Sequence, residues 1–553
     1  MGNSPLTASI HVLDDDSLLN VFYLYRPFLL GEDDQDEDDP LTGGQMGWVR
    51  GRWWYNLAHV CQRWRNVILG SASYLGVSLI CSEGTPVANM LAHSPPLPLV
   101  IDYRLHEDDI TAEDEEGAIL ALERYDRVRR VRLSMSVTNL KKIIVAMDGE
   151  YPILEYLIIG HPDKDNGSIL TFPETLQAPH LRHLTQGGFV LPIGCQLLTT
   201  AVGLVTLWLY MAHPSTYLHP NTLLQWLSSM PQLEILYLSF FFATPNRDVE
   251  RQLMNTPVMA AVVLPNLHHF WFCGVGPHLE AIFHRITTPR LKKLDISIFN
   301  QLTFSMPRLL QFVSTTENLT VKSAIFVFAN ERVKVVLYPH EEAETFSLCI
   351  AVITCHLDWQ VSSAAQIFNS LSPTLSAVDH LTLEHSVHTQ STEEHNEADP
   401  TEWRKLLRSF RNAKTLRIAK GLVEELSRCL ELDDGELPLE LLPELQELTY
   451  SGSGNTGDTF TSFIDARQDA GCPITLIRRS PSPDPTRTMA SVEPSSVNPA
   501  GSDAGSGLDT RTRLTYADQR AVYSSPVPAP SPSYPGLRPT SPLQPGPSRR
   551  KSV

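Results

Sequence analysis

The chain has 553 residues, of which 42% are hydrophobic and 19% are charged, so it can form several domains or one long repeat structure with a large core. Its formal net charge of −18 argues against non-specific nucleic-acid binding, which needs clustered Lys and Arg on one face. The sequence shows neither a secretory signal nor an apolar stretch long enough to cross a bilayer. We therefore expect no nucleic-acid or membrane partner, and a location in the cytoplasm, the nucleus or both.

Two apolar phrases near the N-terminus predict amphipathic helices. In the first, aspartates 14–16 stand where a helix N-terminus favours negative charge, and Leu18, Leu19 and Phe22 follow on one face. In the second, apolar residues recur at steps of three and four, and they are Leu57, Val60, Cys61, Trp64, Val67 and Ile68. Because a few short helices cannot bury this much apolar surface alone, we expect them to pack on a partner or on a neighbouring domain.

Together, the two phrases resemble the F-box, and they are similar to the opening of F-box-like proteins from mushroom-forming fungi. The matching residues are Leu13, Asp15, Asp16, Leu18, Val21 and Phe22, then Leu57, Val60, Cys61, Arg63, Trp64 and Arg65. Asp14 and Ser17 replace the family's usual proline and aliphatic residue, and an acidic, Gly-rich loop at 31–47 widens the spacer. We predict an F-box-like helical domain over residues 8–75.

The resemblance implies a role as an adaptor rather than an enzyme. F-box helices dock on the small adaptor subunit of a Skp/cullin/F-box ubiquitin ligase, while the rest of the chain holds a target protein. By resemblance, the partners of this chain are a Skp-type adaptor and a cullin. The residues assigned to adaptor docking, or to the fold that permits it, are Leu13, Leu18, Leu19, Val21, Phe22, Val60 and Trp64.

From residue 76 onward, short strand-like runs alternate with helical runs, which favours parallel strands because a parallel connection needs a crossover. Many runs share the phrase Pro-x-Leu-x-x-Leu-x-Leu, and between residues 154 and 291 its first leucine recurs every 23 to 34 residues. The phrase and the period resemble leucine-rich repeats, although that family's Asn or Cys is mostly missing. We predict an α/β fold over 76–479, an irregular leucine-rich-repeat-like solenoid with a parallel sheet. An ordinary α/β sheet with coincidental leucine spacing is the alternative.

Two stretches depart from this repeat. Between Leu319 and Thr382 the strands at 325–329, 333–338 and 346–354 have few helices between them. Residues 480–553 are dominated by Pro, Ser, Gly and Thr, a composition that cannot bury enough surface to order itself. We therefore expect a disordered C-terminal tail, whose Ser-Pro pairs are typical of sites for proline-directed kinases.

The sequence contains little that indicates catalysis. It has no nucleophile-elbow, phosphate-loop or H-E-x-x-H motif, and its eight cysteines lack the close spacing of a zinc site. His380, Glu384, His385 and His388 cluster at a strand end, where a solvated junction is the simpler interpretation than metal ligation. We expect no catalytic residue, no metal and no cofactor, although an enzyme with a pocket that the sequence does not reveal is a third reading.

The repeats offer a binding surface. Alternate residues of a strand face opposite sides, so if the phrase leucines point into the core, the residues between them line the open face. Trp208, Tyr237 and Trp271 would then form an aromatic strip across strands about 4.8 Å apart, whereas a covering loop or tail, or a register shifted by one, would bury them. Since large aromatics are enriched in binding hot spots, the predicted target-binding residues are Trp208, Tyr210, Tyr237, His269, Trp271 and Asp295.

The sequence thus predicts a substrate-recognition adaptor of a Skp/cullin/F-box-type ubiquitin ligase, with the target protein unidentified. The alternative is a protein-binding leucine-rich-repeat scaffold with no role in ubiquitin transfer, which the departures at Asp14 and Ser17 favour.

Overall fold

The computed structural model describes fourteen stretches of the chain. They are residues 13–25, 53–104, 110–161, 170–192, 194–211, 218–240, 261–299, 304–329, 332–343, 345–353, 357–386, 398–431, 439–451 and 460–479. The acidic loop at 31–47, His388 and the tail at 480–553 lie outside these residues, so the predictions made for them stay predictions. None of the helices in these stretches has both the length and the apolar character needed to span a membrane.

The described chain opens with helices α1 (Asp15–Tyr25), α2 (Trp53–Ala58), α3 (Gln62–Gly70) and α4 (Ala72–Leu75). Helix α1 begins where the Asp14 carboxylate accepts a hydrogen bond from the Ser17 amide at 2.7 Å. Helix α4 ends at Gly76, whose φ of 63° is the left-handed conformation that favours glycine. Trp54 Nε1 donates to the Ser78 carbonyl at 3.2 Å, so the helices pack directly against the start of the repeats. The described residues all belong to one compact unit within 1–488, and a domain boundary at residue 75 stays a prediction.

Twenty strands follow in the described residues. They are β1 (Leu79–Ser82), β2 (Leu99–Arg104), β3 (Val128–Ser134), β4 (Tyr156–Gly160), β5 (Leu170–Thr171), β6 (His183–Gly187), β7 (Phe189–Val190), β8 (Thr206–Tyr210), β9 (Ile235–Ser239), β10 (Val262–Val263), β11 (His269–Gly274), β12 (Ile286–Thr287), β13 (Lys293–Phe299), β14 (Ser323–Ala329), β15 (Arg332–Tyr338), β16 (Leu348–Ile353), β17 (His380–Ser386), β18 (Thr415–Ile418), β19 (Glu447–Ser451) and β20 (Thr475–Arg479). Strands β5 and β7 form one small sheet and β10 and β12 another, and the other sixteen form a single large sheet.

Helices connect most of these strands. They are α5 (Val87–His93), α6 (Ala112–Leu122), α7 (Val137–Ile144), α8 (Gln196–Thr200), α9 (Pro220–Leu227), α10 (Gly276–Phe283), α11 (Pro307–Thr315), α12 (Leu357–Ser370), α13 (Ser372–Leu375), α14 (Pro400–Leu407), α15 (Val423–Leu430) and α16 (Thr461–Asp469), with a 3-10 turn at Lys420–Leu422. Polar side chains fix several starts: Thr111 accepts from the Asp114 amide, and Asp399 from the Thr401 amide. The Glu280 carboxylate of α10 accepts from the amides of Arg308 and Leu309, so one unit caps the helix of the next.

The order of the large sheet is β1-β2-β3-β4-β6-β8-β9-β11-β13-β16-β15-β14-β17-β18-β19-β20. All pairs are parallel except β16 with β15 and β15 with β14. The predicted α/β class with a long, parallel-dominated sheet is confirmed. The irregular stretch is an antiparallel meander, β14 to β16, in which β16 lies beside β13 and the fourteen-residue helix α12 carries the chain back to β17, beside β14.

The leucine phrase builds the core. The first leucine of each phrase is at most 2% exposed, and these residues are Leu154, Leu181, Leu204, Leu233, Leu267, Leu291 and Leu445. The residues that alternate with the buried ones face the other side of the sheet, which we call the open face. The register is therefore the one expected from the sequence, with the phrase leucines toward the helices.

Asparagines link several neighbouring units along one edge of the repeats. The side-chain amide of Asn266 donates to the Pro231 carbonyl at 3.3 Å, and that of Asn412 to the Ser376 carbonyl at 2.7 Å. Asn318 makes the same bond to the Pro289 carbonyl at 3.0 Å. Each asparagine directly precedes the first apolar residue of its phrase, and each acceptor belongs to the spatially or sequentially preceding unit. These bonds tie units together at a position other than the Asn or Cys expected from leucine-rich repeats.

Candidate functional site

The residues assigned to adaptor docking divide into two groups. Leu18 and Phe22 are buried, and the Phe22 ring meets the Trp64 ring edge-on with centroids 4.9 Å apart. Leu19 and Trp64 are half-buried, whereas Leu13, Val21 and Val60 are exposed. Leu18 and Phe22 therefore fit the second of the two predicted roles, the fold that permits docking, and docking itself stays a prediction. Their four-residue spacing turns both toward α3, so they hold α1 in place rather than meet a partner.

The outer side of α1 carries apolar surface that the sequence analysis missed. Leu24 is 76% exposed, and Tyr23 and Tyr25 beside it are also exposed. Val21 and Leu24, three residues apart, lie on one exposed side of α1, which we call the outer face of α1, while the rings of Tyr23 and Tyr25 lie 5.2 Å from Tyr74 and 6.4 Å from Trp53. The signal was present in the sequence, because nearly every residue from Leu18 to Tyr25 is apolar or aromatic. A helix that is apolar on all sides has more apolar surface than one neighbour can cover.

Arg63 joins the two phrases that resemble the F-box. Its Nε donates to the Asp15 carboxylate at 2.8 Å, and its terminal nitrogen donates to the Leu13 carbonyl at 2.6 Å. Both side chains of the ion pair are largely solvent-exposed, so the pair adds little stability. Its effect is geometric, because it fixes the start of α1 against α3.

The open face brings the predicted target-binding residues together. Trp208, Tyr237, Trp271 and Asp295 are successive partners across β8, β9, β11 and β13. The rings of Trp208 and Tyr237 stack at 3.5 Å with planes 8° apart, and those of Tyr237 and Trp271 stack at 5.5 Å. His269 meets Tyr237 edge-on at 5.1 Å. The aromatic strip exists as one rigid stack.

Three of these six residues are nevertheless buried. Trp208 and His269 are 6% exposed and Tyr237 is 7% exposed, which differs from the accessible surface expected from the sequence, and their role in target binding stays a prediction. The physical reason is the register itself, because rings one strand apart cover each other's faces. Tyr210, Trp271 and Asp295 are half-buried and keep accessible surface. Trp208, Tyr237 and His269 therefore position the accessible residues rather than forming the accessible surface themselves.

A second stack lies beside the first on the open face. Tyr156 and His183 stack at 4.2 Å with planes 7° apart, and the Arg130 guanidinium lies 4.3 Å from the Tyr156 ring centre. Burial, together with the nearby Arg182 and Arg130, lowers the pKa of His183 to about 4. Burial likewise lowers the pKa of His269 to about 3, with help from Lys293. Both imidazoles are therefore neutral near pH 7 and act as flat rings.

The meander carries an apolar surface that sequence reasoning missed. Ile325, Val327 and Ala329 of β14 are half-buried on the open face, while Phe326 and Phe328 between them are buried toward the helices. We call these three open-face residues the β14 strip. The sequence does indicate this surface through the unbroken apolar run at 324–329, which is typical of a strand that contacts apolar groups on both sides. In β14 the side toward the helices is buried, whereas the side on the open face is only half-buried, so the strip is partly exposed to solvent.

Charged groups border the β14 strip. Val327 pairs with Lys334 of β15 on one side and with Glu384 of β17 on the other. Further along, Arg417 pairs with Glu341 at 2.8 Å, and His380 lies 3.7 Å from the same carboxylate. His380 Nδ1 also contacts the Thr415 hydroxyl at 2.9 Å. An apolar centre with a polar border is the usual organisation of a protein-binding surface.

The structure offers no metal centre in the part of the chain that it describes, since no three His, Cys, Asp or Glu side chains converge there. Of the eight cysteines, seven lie in these residues, and each is outside any disulfide. Burial raises the pKa of Cys81 to about 12 and that of Cys349 well above its usual value. These thiols are protonated at neutral pH and are poor nucleophiles.

Comparison with known proteins gives only distant likenesses. No protein-family model matches the chain, and no curated protein matches it. Among solved structures, it is similar to the crystal structure of a TLR13–ssRNA13 complex, at 13% identity and a TM-score of 0.28, over 72% of this chain and 49% of that one. The chain therefore spans about half the length of the TLR13 chain. It is also similar to the leucine-rich repeat-containing protein LegL7 from Legionella pneumophila, at 11% identity and a TM-score of 0.25, over 70% of this chain and 97% of that one.

Proposed function

We propose that this chain is a non-catalytic binding scaffold that holds a target protein on the open face of its sheet. The observation that carries the proposal is the β14 strip, an apolar surface with a charged border on the same face of the sheet as Trp271 and Asp295. Aromatic and aliphatic anchors inside a polar rim are what protein partners bury. The stacked rings of Trp208, Tyr237 and Trp271, which lie on β8, β9 and β11 of the same face, have little conformational entropy to lose on binding.

We further propose that the N-terminal helices dock the scaffold on a Skp-type adaptor, and through it on a cullin. The support is the F-box resemblance together with the outer face of α1, where Leu24 is 76% exposed. The departure at Asp14 does not prevent helix formation, because its carboxylate caps α1 in place of the usual proline. In this role the chain would bring its target to a ubiquitin ligase.

The docking proposal is tested by a charge placed on the outer face of α1. Leu24→Asp should abolish co-purification of the adaptor and the cullin, because a carboxylate cannot enter an apolar interface without a large desolvation cost. Val145→Asp is the matched control, since Val145 is also 76% exposed but lies just after α7. Undiminished adaptor binding by Leu24→Asp would contradict the assigned surface.

The same pull-down separates the two versions of the proposal. If wild-type chain recovers no adaptor but still retains a specific target, the chain is a repeat scaffold without a role in ubiquitin transfer. Target binding itself is tested by Ile325→Asp, with Val263→Asp as control because Val263 is exposed on the small β10–β12 sheet. Loss of the target in the first variant and retention in the second is the expected result, with thermal melting used to verify that both fold.

A further inference from the structure

The last strand of the large sheet, β20, differs from the other strands in the exposure of its helix-facing residue. Leu476 of β20 ends a row of helix-facing residues that runs across the whole sheet, one from each strand, through Leu448, Leu416 and Leu381. Every other member of the row is at most 1% exposed, whereas Leu476 is 39% exposed. The other members of the row belong to the buried core between the sheet and its helices. In the described residues, no further unit covers Leu476.

The outer edge of β20 also presents backbone groups. The Thr475 amide donates to the Gln446 carbonyl at 2.8 Å, so Thr475 faces β19. Because successive residues of a strand point their backbone groups to opposite edges, the amide and carbonyl of Leu476 point away from β19. No other strand of the described chain pairs with that edge. Such an edge accepts an added strand.

We propose that β20 pairs with β20 of a second copy of this chain, antiparallel and about a two-fold axis centred on Leu476. In this register the two Leu476 residues exchange both backbone hydrogen bonds, and Thr475 lies opposite Ile477 of the copy. The row of helix-facing residues then continues without a break into the second copy. A second copy supplies a strand with the same alternation, and a leucine at the row position, by identity.

Charge selects this register over its neighbour. A two-fold axis centred on Arg478 would set two guanidinium groups directly opposite each other, which destabilises a strand pair. Centring on Leu476 keeps Arg478 and Arg479 beyond the apolar centre. The sequence directly after β20 is a poor competitor for the edge, because prolines at 481, 483 and 485 remove every second amide donor.

The other end of the sheet restricts the assembly to a closed dimer. Head-to-tail growth would require β20 of one copy to pair with β1 of the next. Strand β1 is buried except for Ser82, which is half-buried, and Trp54 of α2 donates to the Ser78 carbonyl just before it. Of the two end strands of the large sheet, only β20 is exposed, so the association uses the same surface on both copies and stops at two.

The test measures mass in solution with the full chain. Wild-type protein should sediment at twice the mass of one chain and dissociate on dilution, and Leu476→Arg should sediment as a single chain because it places like charges on the axis. Leu439→Arg is the matched control, since Leu439 is a leucine of nearly equal exposure, 37%, that lies before β19, and it should remain dimeric. Wild-type protein of single-chain mass at every concentration would overturn the proposal, as would a dimer that Leu476→Arg leaves intact.

A cross-link tests the register. In a chain with Cys61→Ser and Cys472→Ser, which removes the two described cysteines that are not buried, Leu476→Cys should form a disulfide-linked dimer under mild oxidation. The α-carbons of such a pair lie about 5.5 Å apart, within the range that a disulfide spans. Leu439→Cys in the same background should remain single. Equal cross-linking of both variants, or of neither, would overturn the assigned pairing even if a dimer exists.

Discussion

The two ends of the large sheet are built from the same kind of strand, but the strand at one end is buried and the strand at the other is exposed. At the N-terminal end, Cys81 of β1 holds the position that Leu476 holds in β20, and it is fully buried beside the helices that contain Trp54 and Leu75. At the C-terminal end every residue of β20 is exposed. Since one row of positions gives opposite burial at its two ends, the burial of a unit's apolar residue depends on its neighbour rather than on the unit itself.

The two ends also use different chemistry to hold their last elements. The N-terminal end relies on apolar packing, with Trp54 and Ile68 buried under the first strands. The C-terminal end relies on a fully buried guanidinium, that of Arg467, which donates to the carbonyls of Leu442, Pro443 and Leu445 at 3.1, 2.9 and 3.3 Å. Substitutions at the two ends should therefore lower the free energy of unfolding by different amounts, and different side chains should restore it.

The largest effect is expected at the apolar end. Trp54→Ala should lower the free energy of unfolding by about 3–5 kcal/mol, because it removes a buried ring and leaves the Ser78 carbonyl without its donor. Leu476→Ala at the open end should cost less than about 1 kcal/mol, since much of that side chain already contacts water. Urea unfolding at a dilution that favours the single chain measures both. Equal losses would show that the two ends are not distinct.

At the C-terminal end, the sensitive residue is Arg467. Arg467→Met should cost about 1–3 kcal/mol, because it leaves buried carbonyls without donors while keeping apolar volume. Arg467→Lys is the informative control: its ammonium keeps the charge but lacks the planar fork that reaches several carbonyls at once, so only part of the loss should be recovered. Full recovery by lysine would show that charge, rather than geometry, holds this end.

Acid should act on the middle of the sheet, between the two ends. The pKa values of His183 and His269 fall from about 6.5 to about 4 and about 3 on folding. As the pH drops below 6.5, the unfolded chain binds protons that the folded chain does not, so stability falls, by about 1.4 kcal/mol per pH unit for each histidine. Above pH 6.5 neither group contributes a pH dependence.

The double variant His183→Gln and His269→Gln isolates this effect. Its unfolding free energy should fall less steeply than that of wild type between pH 6.5 and about 4, and the two curves should run parallel above pH 6.5. His219 and His278, whose pKa values are also lowered by burial, remain in both proteins and cancel in the comparison. Curves that stay parallel throughout would contradict the assignment of neutral, buried rings.

The regular part of this fold could be predicted from the sequence because the leucine pattern is periodic. Leucines such as Leu207 and Leu236 repeat with the unit, and their spacing alone indicates both the parallel strands and the face that each residue takes. The order β16-β15-β14 could not be inferred, because a continuous apolar run such as 324–329 identifies a strand without saying which strand lies beside it. The site was limited in the same way. Alternation placed Trp208 and Tyr237 on the open face correctly, but only the stacking of neighbouring rings decides that they are buried.

The smallest effect tests the bonds that run between units from one end toward the other. Asn412→Ala should cost about 0.5–1.5 kcal/mol, because it removes one hydrogen bond, from the Asn412 amide to the Ser376 carbonyl, at an exposed edge where water replaces part of it. Asn412→Asp keeps the size of the side chain but has no donor, so it should lose at least as much as alanine if the bond itself matters. If aspartate instead behaves like wild type, the asparagine contributes turn geometry and the bond to the preceding unit is incidental. Asn318, just before the meander, makes the corresponding bond to the Pro289 carbonyl, so Asn318→Ala should show a loss of similar size. A much larger loss at either position would mean that these edge bonds, rather than the buried leucines, hold adjacent units together.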